Sequence, residues 1–158
     1  MSVVFLEFIP TRYIEAYYWH LRHGNSVEVG SYRFPVPKRW YVDSFSANDA
    51  LLVDLNTGDS IVVRMSSVRG RPALGLWDAL VSRPMLDGST KILVRKELQI
   101  NGEMFLCYEK NLDTKSVRLY PIECRSEGAL EVSFQPNVFS AKDHDRMFYS
   151  LLQQLQNL

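Results

Sequence analysis

Asn101-Gly102 restricts the fold of this chain more than any other dipeptide in it. A two-residue hairpin turn needs positive φ at both central positions, and asparagine followed by glycine meets that need at little cost. The flanks TKILVRKELQI (90–100) and EMFLCYEKN (103–111) are rich in strand-forming residues. The spacing therefore predicts a long antiparallel hairpin that pairs Ile100 with Glu103 and Leu98 with Phe105. One face should then carry Ile92, Val94, Leu98, Ile100, Phe105 and Cys107. The other should carry Leu93, Met104, Leu106 and Tyr108, mixed with Arg95, Glu97 and Gln99. Apolar groups on both faces predict a sheet covered at least partly on each side.

The rest of the chain supplies partners for that hairpin. ALLVDL (50–55) and SIVVRM (60–65) flank Asn56-Thr57-Gly58-Asp59, a four-residue hairpin loop, with Ile61, Val63 and Met65 on one side. After a reversal near Asp113-Thr114 comes SVRLYPIECR. A second reversal at Ser126-Glu127-Gly128 leads into ALEVSF, where Leu130, Val132 and Phe134 alternate with Glu131 and Ser133.

Three stretches read as helices. Residues 11–22 have Thr11 as N-cap, Gly24 just past the end, and a wide stripe from Tyr13, Ile14, Tyr17, Tyr18 and Leu21. GRPALGLWDALVSR (70–83) has Pro72 in a first turn and one face from Leu76, Trp77, Leu80 and Val81. A last helix is expected to be capped by Ser140, with Asp143 in capping-box position and Phe148, Leu151, Leu152 and Leu155 buried. In YRFPVPKRWYV (32–42), Pro35 belongs at a strand end and Pro37 sets a turn at Lys38-Arg39. Tyr32, Phe34 and Val36 line one strand; Trp40 and Val42 line the next. The segment is a stiff corner where a sheet begins.

The expected fold is α+β: one domain over residues 1–158, with an antiparallel sheet packed by N-terminal, central and C-terminal helices. A chain of 158 residues buries roughly 70% of its unfolded surface, so no metal or disulfide is needed to hold it together. Cys107 and Cys124 fall on strands expected to pair. A register with Cys107 opposite Tyr120 and Cys124 opposite Glu103 would keep the thiols apart, since a bridge wants Cα atoms within about 7 Å. A bulge at Pro121 would change that register, so two separate buried thiols and a bridge both stay open.

Eighteen basic residues balance eighteen acidic ones, and each half of the chain is balanced too. Nucleic-acid binders draw most of their affinity from a basic excess, so that class is not expected. The longest run without a charged residue has twelve members, too short to span a bilayer. MSVVFLEF has neither a basic flank nor a cleavage site, and so reads poorly as a signal peptide. As written the chain reads as cytoplasmic; an upstream anchor would place it in a periplasm or tether it to a membrane.

Motifs that carry chemistry are scarce. No G-x-S-x-G elbow and no phosphate-cradling glycine loop occurs, and neither cysteine has a histidine near it in sequence. His20 and His23 have an i, i+3 spacing that suits a metal, but no third ligand is near in sequence; caps at a helix C-terminus are the expected role. Asp143-His144-Asp145 reads as a first helical turn rather than a site. No cofactor, metal or catalytic residue is expected. The residues that suit a protein partner are Tyr13, Tyr17, Tyr18 and Trp19 on the first helix, with Arg69 and Arg71 in RMSSVRGRP.

An extended segment closing in VPKRW, a hairpin, a helix, long hairpins, then EVSFQP and DHDRMFYSLLQQL follow one another in order. Over residues 30–157 this resembles the α/β/α sandwich of the PsbP-like group, on the strength of the P-x-x-W and terminal SF…F…LL…L patterns. That group takes in extrinsic photosystem subunits, a Ran-binding nuclear-transport factor and bacterial envelope proteins related to DcrB. The resemblance implies a non-catalytic accessory or interaction module, with no site residue to carry over. A membrane-associated partner fits it as well. The competing expectation is a small-ligand-binding or hydrolase-like domain with a pocket between sheet and helices.

Overall fold

The computed structural model describes residues 11–66, 74–81, 90–113, 118–140 and 142–158. Asn101 (φ 53°) and Gly102 (φ 79°) form the two-residue turn between β6 (Thr90–Ile100) and β7 (Glu103–Asp113). Ile100 pairs with Glu103 and Leu98 with Phe105, as the turn chemistry predicts. One face assignment changes. Ile92 pairs with Lys110 and Val94 with Glu109, so Leu93 is an extra residue in the ladder. The bulge turns Ile92 to the opposite face from Leu98 and Ile100, against Trp77, Leu106 and Tyr108.

Around this hairpin lie β3 (Trp40–Phe45), β4 (Asp49–Asp54), β5 (Ser60–Met65), β8 (Arg118–Leu119), β9 (Ile122–Ser126) and β10 (Leu130–Gln135). They make one sheet of antiparallel pairs in the order β3-β4-β5-β10-β9-β7-β6, with β8 also on β7. A second sheet, absent from the sequence expectation, has the order β1-β2-β11 from β1 (Ser26–Val29), β2 (Tyr32–Pro35) and β11 (Gln156–Asn157). Pro35 ends β2, and the Pro37 carbonyl accepts the Trp40 N–H at 2.8 Å. The two-proline corner thus carries the chain from the small sheet to the large one.

The small sheet and α3 (His144–Gln153) share a face of the large sheet. Phe34, Trp40, Leu52, Ile61, Phe105, Phe134, Phe148 and Leu152 meet there in one buried cluster. Leu130, Val132 and Phe134 all point into it, as alternation requires. α2 (Leu74–Val81) covers the other face through Trp77, which lies edge-on to Tyr108 at 5.2 Å, with Arg125 over its ring at 4.7 Å. Its inward residues are Leu74, Trp77 and Val81, while Leu76 and Leu80 are exposed. The expected face was therefore rotated. Pro72 lies outside the described residues.

Three further expectations need correction. Ser140 does not cap α3: its hydroxyl donates to the buried Asp59 carboxylate (3.0 Å), and the helix starts at His144. Thr11 is itself helical rather than the residue that caps α1. β7 and β8 still pair at Asp113–Arg118, so the chain reverses beyond Asp113 rather than at it. That shifts the β7–β9 register by an even number of residues, which preserves the faces but changes the partners. Cys107 lies opposite Cys124, not Tyr120, with Cα atoms 4.1 Å apart, and the two form a disulfide inside the core.

Tyr149, half-buried on α3, donates to Glu109 Oε1 at 2.9 Å, and Lys96 Nζ sits 4.3 Å from its ring centre. Burial, then the Glu109 carboxylate, push its hydroxyl well above the ordinary value of 10.0. The fold favours the neutral form, so this contribution is intact below pH 10 and is lost as pH rises beyond it. Tyr149→Phe should cost about 1 kcal/mol at neutral pH through the lost hydrogen bond. It should also flatten the fall of urea-measured stability above pH 10 by about one proton's worth of slope.

Candidate interaction surface

α1 (Thr11–His23) stops at Gly24, where φ is 73° and the N–H reaches the His20 carbonyl at 3.0 Å. One narrow stripe, Ala16, Trp19, His20 and His23, holds the helix to the rest of the protein. Ala16 is its fully buried residue. The Trp19 ring stacks on His23 (4.1 Å) and meets Phe45 of β3 edge-on (5.1 Å). His20 bridges two elements: Nδ1 lies 2.9 Å from the Gly24 carbonyl and Nε2 lies 2.9 Å from the Trp40 carbonyl. The two histidines thus serve a helix end and a ring stack, and they converge on no common point. Among the described residues, no group of three His, Cys, Asp or Glu side chains is placed to hold a metal ion.

The tyrosine stripe faces elsewhere. Tyr17, Tyr18 and Leu21 are 67%, 64% and 68% exposed, with Tyr13 and Ile14 beside them on the same helical surface. Tyr17 and Tyr18 touch each other edge-on at 6.3 Å. Trp19, expected among the partner-facing residues, turns inward instead, and its indole N–H is buried without an acceptor. Leu21 and Phe45 are exposed members of the surface that sequence reasoning did not single out as contacts. Helical spacing exposed Leu21 to prediction; nothing local marked Phe45. Arg69 and Arg71 lie outside the described residues.

A groove of about 300 Å³ runs between Ile14, Tyr18 and Arg22 of α1 and Val42 of β3. A second, of about 370 Å³, lies past Trp19 and is floored by Phe45 and the Glu28–Arg33 ion pair (2.8 Å). Burial, helped by the neighbouring Asp43, raises the Tyr41 hydroxyl above its ordinary value, which suits a neutral packing residue. The ionisable groups lining the two grooves are Glu15, Arg22, His23, Glu28 and Arg33. With the hydroxyls of Tyr18 and Ser26, which line the same grooves, they offer charge and hydrogen bonding for recognition.

The architecture is an α+β sandwich, a mostly antiparallel sheet with helices against both faces. It is the PsbP-like fold. The chain is similar to the solution structure of cyanobacterial PsbP from Synechocystis sp. PCC 6803, with a TM-score of 0.50 and 12% identity over 81% of this chain and 87% of that one. It is also similar to a protein of unknown function, PA94 from Pseudomonas aeruginosa, described as a putative regulator, with a TM-score of 0.48 and 12% identity over 84% and 96%. No protein-family model and no curated protein matches the sequence.

Proposed function

We infer that the chain is a non-catalytic interaction module of a larger assembly, and that it docks on a protein partner through the outward face of α1. One observation carries this reading. The helix is fastened by Ala16, Trp19, His20 and His23, so the exposed Tyr17, Tyr18 and Leu21 are not needed to hold it in place. Tyrosine offers large, stiff contact area with a hydroxyl at its tip, which is why it is enriched at interface hot spots.

The test is a triple change, Tyr17→Ser, Tyr18→Ser and Leu21→Ser, with the chain lacking residues 1–24 alongside. The triple variant should keep its thermal midpoint and lose partner capture in an affinity pull-down. Capture that survives while only the deletion loses stability would make α1 a structural element and end the interface reading. The competing small-ligand or hydrolase reading draws on the grooves beside Trp19, and turnover in a broad hydrolase screen would favour it.

A further inference from the structure

An open sheet has two outer strands, and each offers a row of unpaired backbone groups. In the large sheet these strands are β3 and β6. The edge of β3 is covered. His20 Nε2 lies 2.9 Å from the Trp40 carbonyl, the Trp19 and His23 rings lie against Phe45, and a bulge between Val42 and Ser44 breaks the row. The edge of β6 differs: among the described residues, no strand pairs with its outer side.

Hairpin chemistry says which groups that edge presents. A two-residue turn is closed by hydrogen bonding between its flanking residues, so Ile100 and Glu103 turn their backbone groups toward each other. Alternation then points those of Leu98 and Lys96 at β7, and those of Gln99, Glu97 and Arg95 away from it. The far side of β7 gives the same phase. There the Lys110 N–H donates to the Pro121 carbonyl, which by alternation turns Cys107, the residue opposite Lys96, toward β6. The bulge at Leu93 ends the regular row, and the side chains of Arg95, Lys96 and Glu97 are exposed.

The charges on this row complement a second copy of themselves. About a two-fold axis at Lys96, Arg95 opposes the partner's Glu97 and Glu97 opposes the partner's Arg95. Opposed residues that share backbone bonds stand about 5.5 Å apart at Cα. Arg95 and Glu97 of one strand are farther apart, at about 6.6 Å. Arg95 holds Asp78 through Nε and Nη2 (3.0 and 2.9 Å), and its Nη1, 2.9 Å from its own Glu97, can serve the partner's carboxylate instead. On the α3 side Val94 meets the partner's Leu98. Lys96 there faces the partner's Lys96, but each has Glu109 at 3.6 Å and the Tyr149 ring beside it. An axis at Arg95 or at Glu97 gains no pair of opposite charge, and one at Leu98 carries Arg95 onto the Asn101 turn.

We propose that β6 pairs with β6 of a second copy about a two-fold axis at Lys96, so that two large sheets become one. The inference goes beyond the protein-contact reading and uses the opposite edge of the sheet from the one α1 covers.

Sedimentation of the full chain from micromolar to millimolar concentration should show a monomer–dimer equilibrium. A short amine-reactive cross-linker should join Lys96 of one chain to Lys96 of the other, a link that only two copies can make. Glu97→Pro removes an N–H that faces away from β7, which an edge strand tolerates, so it should abolish the dimer and keep cooperative unfolding. Arg95→Glu alone and Glu97→Arg alone each set like charges face to face and should weaken association about 10-fold. Mixed one to one, these two variants should recover it, because the mixed pair again opposes unlike charges at both places. The proposal is overturned if the wild-type chain stays monomeric throughout, if Glu97→Pro associates as well as wild type, or if mixing the charge variants restores nothing. The triple change on the outer face of α1 should leave the equilibrium intact, and a dimer that it dissolves would equally overturn the proposal.

Discussion

Phe148→Ala will lower stability by about 3–5 kcal/mol, as large-to-small changes at sealed aromatic sites do. The ring is fully buried, 5.7 Å from Phe134 and 5.7 Å from Tyr149, and it belongs to the cluster that joins both sheets. Its loss should also be felt beyond α3. β11 follows directly, pairing Gln156 with Arg33 and Asn157 with Tyr32, and the Leu158 N–H donates to the Ser31 carbonyl at 2.9 Å. A loosened helix should free that tail from the small sheet. Urea denaturation reads the stability, and faster amide hydrogen exchange at Asn157 and Leu158 reads the tail. A loss below about 1 kcal/mol would mean that the helix is not seated on the sheet as described.

Opening the Cys107–Cys124 bridge should cost about 3 kcal/mol, because the bond closes a loop over a sequence separation of 17 and so restricts the unfolded chain. Both cysteines are buried, so the native protein should resist mild reductant and yield once denaturant opens the core. The double change Cys107→Ala and Cys124→Ala should reproduce the loss and remove the effect of reductant. In the unfolded chain, thiol-reactive reagents should label neither cysteine until a reductant is added. Labelling without reductant would dispose of the bridge and leave two buried thiols. Against a typical total of about 5–15 kcal/mol, either change removes a large share of the stability.

How much of this was legible depends on the range of the physics. The Asn101-Gly102 turn, its register and the alternation of Leu130, Val132 and Phe134 were readable, because positive φ and a two-residue period are local properties. The buried stripe of α3 was equally plain, since Phe148, Leu151 and Leu152 recur at helical spacing, whereas Leu155 is buried just past the end of the helix. Register between distant strands was not. It followed the pairing of β7 with β8, which sets Asp113 opposite Arg118, and a four-residue difference in register decided whether Cys107 met Tyr120 or Cys124. β11 is two polar residues with no pattern of their own and becomes a strand only because β2 offers an edge. Ser140 carried a capping signal that a buried aspartate from another loop captured.

The candidate surface divides in the same way. The tyrosines at 13, 17 and 18 were visible as a stripe, but a stripe does not say which way it faces. α1 docks instead through its smallest inward residue, Ala16, beside a tryptophan and a histidine that reaches the Trp40 carbonyl. By itself, the order of residues determined the three helices, the long hairpin with its Asn101-Gly102 turn and an antiparallel α+β plan, since backbone geometry and side-chain periodicity act over a few residues. Only tertiary structure decided which strands became neighbours, which cysteines met and which aromatic face stayed in water. Those outcomes rest on competition for burial between segments far apart in the chain, and no short window contains both competitors.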